Sequence, residues 1–92
     1  MTTTTHPVAP VYAALGLVWL AEAARDLGIE PVSMMWRNGG HPGHEVRVPT
    51  RAALDALGDR LGLGPASVAD WIASRAGTWA DMNVFVYFRT YR

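Results

Sequence analysis

Asn83-Val84-Phe85-Val86-Tyr87-Phe88-Arg89-Thr90-Tyr91-Arg92 decides how the rest of this chain must be arranged. β-branched and aromatic residues fill nearly every position. Both alternating sides are apolar: Val84, Val86 and Phe88 on one, Phe85, Tyr87 and Tyr91 on the other. The run predicts a strand covered on both sides, since a strand with one wet face alternates apolar with polar residues. Its second side must meet a helix layer, a second subunit or a ligand.

Working outward, Leu63 to Trp79 admits two readings. As a helix, Pro65 takes the first turn, Val68, Trp71 and Ile72 form the apolar stripe, and Gly77 closes it. As a strand, Trp71 to Thr78 forms the outer arm of a hairpin turning at Ala80-Asp81-Met82 into the final strand. Periodicity over so short a run does not separate the two. The reading preferred here is a helix from Pro65 to about Ser74 with the remainder extended.

Before it, Thr50 is a good N-cap and Leu54, Leu57 and Leu61 repeat at three and four residues, so a helix runs to Gly62 with Arg51 and Asp55 as a surface i,i+4 pair. Val32 to Arg37 and His44 to Val48 read as two strands. The Gly-rich stretch between them supplies the positive φ angles of a hairpin turn, so they should pair antiparallel. Val46 and Val48 point to the core while Glu45 and Arg47 face out. Pro10 to Leu27 is a helix, with Pro10 in the first turn and Gly28 just past the end. It is apolar almost all round before its last turns, with one stripe through Leu15, Val18, Trp19 and Glu22 and the other through Leu17, Leu20, Ala24 and Leu27. Such a helix wants two neighbours, its own sheet and a further surface such as the same helix in a second copy. Residues 1–7 read as a mobile Thr-rich tail and 8–92 as one domain.

Composition narrows the function classes. The 92 residues carry eight arginines, no lysine and eight acids, for a formal charge of zero. Proteins that live on phosphate backbones usually show a basic excess, so nucleic acid is disfavoured as a partner. With no cysteine there is no disulfide, thiol nucleophile or thiolate metal site. The apolar run of the first helix is too short to span a bilayer and no basic residue precedes it, so neither a membrane nor an export signal is expected and the cytoplasm is the default location.

Three constellations could carry chemistry. Arg37, His41 and His44 flank or occupy the glycine-rich loop, where two histidines three apart suggest metal ligation. No third ligand has a predicted neighbouring position, so a solvated, partner-contacting tip is the expectation and no metal or cofactor is assigned. An enzymatic pocket would have to form around Trp36, His41 and His44. No catalytic pair or triad can be assembled, so the chain is expected not to be an enzyme. Phe85, Tyr87 and Tyr91, flanked by Arg89 and Arg92, form an aromatic group faintly like a sheet platform on which bases stack, though core or subunit interface is the preferred reading. Leu57-Gly58-x-x-Leu61-Gly62-Leu63, followed by Val68 and Trp71, resembles the helix-turn-helix signature over residues 57–71. That resemblance implies a DNA-binding regulator with Arg60, Ser67 and Arg75 as contacts, although the outer face of its second helix offers an acid and small residues with Arg75 the only cation.

The order of elements predicts an α+β domain: two or three helices packed on a three- or four-stranded antiparallel sheet with the C-terminal strand central. This layout resembles the small α+β proteins of actinobacteria and their phages, a resemblance of pattern that implies no activity. The leading expectation is a non-enzymatic protein-interaction module, homodimeric and contacting another protein, with Leu17, Leu20, Ala24, Phe85, Tyr87 and Tyr91 at its interface.

Overall fold

The computed structural model describes residues 5–37 and 42–90, with side chains described from Ala14 onward. Two helices and five strands follow in the order α1 (Thr5–Asp26), β1 (Ser33–Arg37), β2 (Gly43–Arg47), α2 (Arg51–Leu61), β3 (Ser67–Ala69), β4 (Ile72–Trp79) and β5 (Met82–Arg89). The fold is α+β. One sheet in the order β1-β2-β5-β4-β3 carries both helices on one face and places β5 at its centre.

Two expectations about the sheet need correction. It has five strands, because Leu63 to Trp79 is extended: β3 and β4 occupy the place of the expected third helix. The spacing of Val68, Trp71 and Ile72 imitates a helical stripe, yet Val68 and Trp71 are exposed and reach no core. Asp70 adopts a left-handed conformation (φ 55°) and turns β3 back into β4. The sheet is also mixed: β2 pairs parallel with β5, while the other three pairs are antiparallel. The cause is α2, which carries the chain from the end of β2 back to the end where β2 began. β3 then starts at the far edge, and β4 and β5 fold inward until β5 meets β2.

Local chemistry sets the ends of the elements. The Thr50 hydroxyl accepts a hydrogen bond from the Ala53 amide at 3.0 Å, and Gly62 closes α2 in the left-handed region at φ 68°, which a glycine adopts without cost. β4 and β5 are joined through Ala80 and Asp81, whose φ angles of 53° and 63° match the two central positions of a type I′ turn. α1 begins at Thr5, five residues before the expected start, and residues 1–4 lie outside the described residues.

The core lies between helices and sheet. Leu20 and Ala23 of α1, Leu54, Leu57 and Leu61 of α2, Val46 and Val48, Ala73, and Val84 and Val86 of β5 form one buried cluster. Each large aliphatic side chain buried in this way stabilises the fold by about 1.5–3 kcal/mol.

Candidate functional site

The register of the strands divides their side chains into two sets. Met34, Trp36, His44, Val46, Ala73, Arg75, Val84 and Val86 face the helices. Met35, Arg37, Glu45, Arg47, Phe85, Tyr87, Arg89, Ile72, Ser74 and Ala76 share the opposite face. No described element covers that second face.

The residues expected at the loop do not stay together. Arg37 ends β1 on the outer face and forms an ion pair with Glu45 of the neighbouring strand. His41 lies outside the described residues. His44, expected as a loop contact, is a core residue, 1 % exposed beneath α1. Its imidazole meets the Trp36 ring edge-on with centroids 4.9 Å apart. It is Gly16 of α1 that makes room: a Cβ there would lie 2.4 Å from His44 Cε1 and Nε2 and 2.7 Å from Met82 Sδ. The alternation His44, Val46, Val48 already placed this histidine with the core valines, a signal outweighed by its nearness to the glycine-rich loop. Among the described residues, no group of three or more His, Asp or Glu side chains is placed to hold a metal ion.

The expected DNA contacts are likewise dispersed. Arg60 lies at the end of α2, 3.5 Å from Asp26, and Ser67 sits on the edge strand β3. Arg75 turns inward from β4 and is only 12 % exposed. Its Nε donates to the Gly64 carbonyl (2.8 Å), Nη2 to the Leu63 carbonyl (3.0 Å), and Nη1 to both the Asp55 carbonyl (3.1 Å) and Asp59 Oδ1 (2.8 Å). A cation thus meets a carbonyl midway along α2 and two carbonyls of the turn after it. Gly58 admits it, since a Cβ would lie 2.6 Å from Arg75 Cδ and Nε. Gly58 is thus where an arginine passes under the helix. After α2 the described chain continues in strands, Ser67–Ala69 and Ile72–Trp79, and Gly58, Leu63 and Gly64 take part in the latch between α2 and β4.

On α1, Leu20 and Ala24 are buried in the protein's own core, which corrects their assignment to an interface, and Leu17 is half-buried. The helix face bearing Gly16, Leu20, Ala23 and Ala24 packs down because small residues let the backbone approach the sheet. The opposite stripe is left outward: Ala14 and Ala21 are exposed, Leu15 is 43 % and Val18 52 % exposed.

On the uncovered sheet face, Phe85 and Tyr87 lie side by side on β5, ring centroids 5.6 Å apart and planes inclined by 33°. Tyr91 lies outside the described residues. A shallow groove of about 480 Å³ opens beside Phe85 over Gly43, Ala76 and Gly77, edged by Arg37, Glu45, Thr78 and Asn83. A second hollow between Trp19 and Trp79 is bounded by Asp26 and Arg60, which pair with each other. No helix among the described residues is long and apolar enough to cross a membrane. Comparison with family models, with curated proteins and with solved structures finds no match to this chain.

Proposed function

We propose that the chain is a non-enzymatic interaction module that works as a homodimer, with the outward stripe of α1 as the surface on which two copies meet. The observation that carries this reading is the exposure of Leu15 and Val18, with Ala14 and Ala21, on a helix whose other side is already packed. The stripe carries no charge until Glu22 and Arg25 at its C-terminal end. Two identical uncharged stripes meet about a two-fold axis without placing like charges together, the self-complementarity that an isologous interface requires. Two-fold packing would remove Leu15 and Val18 from water at about 25 cal/mol per Å² of apolar surface.

Val18→Arg tests the reading. The side chain is already in water in the single subunit, so the substitution leaves the fold intact and places two like charges in the dimer contact. Light scattering should show a dimer for the unaltered chain and a monomer for the variant, with the same far-ultraviolet circular dichroism. A variant that keeps the mass of the unaltered chain would remove α1 from the interface.

A further inference from the structure

We propose that the uncovered face of the sheet binds single-stranded nucleic acid, with Phe85 and Tyr87 as stacking platforms and Arg47 as a phosphate contact. This surface is opposite the helices, so the proposal does not rest on the dimer through α1.

The first observation is the arrangement of the rings. Phe85 and Tyr87 are two apart on the central strand, on one face, with adjoining rings. Their neighbours across β4 are Ala76 and Ser74, so on that side nothing bulky rises beside them. Two adjoining aromatic rings over a floor of small side chains offer two stacking positions for unpaired bases, whose π-faces are common to every sequence. The groove beside Phe85 continues the same surface.

The second observation is charge. The zero total conceals a division between the faces. The open sheet face carries Arg37, Arg47 and Arg89 against one carboxylate, Glu45. The rest of the described residues carry Arg25, Arg51, Arg60 and Arg75 against Glu22, Asp26, Glu30, Asp55, Asp59, Asp70 and Asp81. Arg47 is the register partner of Tyr87 on β2. A cation therefore stands across from the second ring, where a backbone whose bases stack on both rings would run. Glu45 stands opposite Phe85 and is held by Arg37, which keeps it from opposing an anionic strand. A protein partner lacks the repeating anion that this pattern matches, and a duplex hides the base faces that the rings would need.

The experiment uses the full chain with fluorescein-labelled oligo(dT), oligo(rU) and a mixed-sequence duplex, read by anisotropy at low and moderate salt. Saturable binding of the single strands is expected, tighter than the duplex and weakening as salt rises. Phe85→Ala and Tyr87→Ala should each weaken it about tenfold. Both side chains are partly exposed, and an unchanged melting temperature in each variant confirms that the loss is one of contact. Arg47→Ala should weaken binding less and lower the salt slope by about one. Absence of saturable binding at low salt, or binding that survives both aromatic substitutions, would overturn the proposal. If Phe85→Ala instead abolishes self-association, the face is a subunit interface and the proposal falls while the module reading stands.

Discussion

Helices α1 and α2 rest on the same face of the same sheet, but their outward sides are built for different surroundings. α2 turns Arg51, Asp59 and Arg60 to water, is capped by Thr50 and Gly62, and is held to β4 by Arg75. α1 turns Ala14, Leu15, Val18 and Ala21 to the same water. Each helix is seated on the sheet through a glycine, Gly58 over the Arg75 guanidinium and Gly16 over the His44 imidazole. The inner sides therefore follow one device, and the outer sides do not. One helix is finished with charges and caps, and the other leaves an apolar stripe outward, which is the surface proposed above for the contact between two copies.

The largest effect should come from undoing the latch on the finished helix. Arg75→Ala removes the donors to the Asp55, Leu63 and Gly64 carbonyls, and should cost about 3 kcal/mol in urea unfolding. A loss below about 1 kcal/mol would mean that water serves those carbonyls equally well. Asp59 contributes little of this, since its carboxylate is largely in water.

Gly58→Ala sharpens the same point. With Arg75 present, the new methyl group meets a side chain held by four hydrogen bonds, and about 1–3 kcal/mol should be lost. In the Arg75→Ala background the space is empty, and the better helix propensity of alanine should make the same substitution stabilising by up to about 1 kcal/mol. Equal losses in the two backgrounds would show that Gly58 is needed for something other than the arginine.

The sequence was informative where local chemistry acts alone. Thr50 and Gly62 marked both ends of α2, the β1-β2 hairpin stood out from its glycines, and β5 was central in pattern as in the fold. It misled where two periodicities coincide. Val68, Trp71 and Ile72 are spaced for a helix, yet the residues that decide this segment are in its turns: Asp70, Ala80 and Asp81, all with positive φ. Of the candidate site, the outer-face set of Phe85 and Tyr87 was legible from alternation alone. Which stripe of α1 would turn inward was not, because both are apolar; the choice rests on Gly16 meeting His44, a contact between residues distant in sequence. Nor could the net charge reveal that the open sheet face holds three arginines against one of the eight acids, because that division follows from strand register.

A smaller effect is expected at the β4-β5 turn. Ala80 holds a left-handed φ of 53°, a conformation that asparagine tolerates better than alanine. Ala80→Asn should therefore stabilise the domain by about 0.5–1 kcal/mol in thermal unfolding while leaving both helices as they are. A lower melting temperature would show that the alanine methyl makes a contact worth more than the backbone strain.

The most direct test of the difference between α1 and α2 is the mass of the unaltered chain in solution, measured by sedimentation equilibrium over a range of dilutions. The expected mass is twice the 10.0 kDa of the single chain, falling to that value only on dilution and falling at once in Val18→Arg. A mass of 10.0 kDa at every concentration, with Leu15 and Val18 left in water, would contradict it.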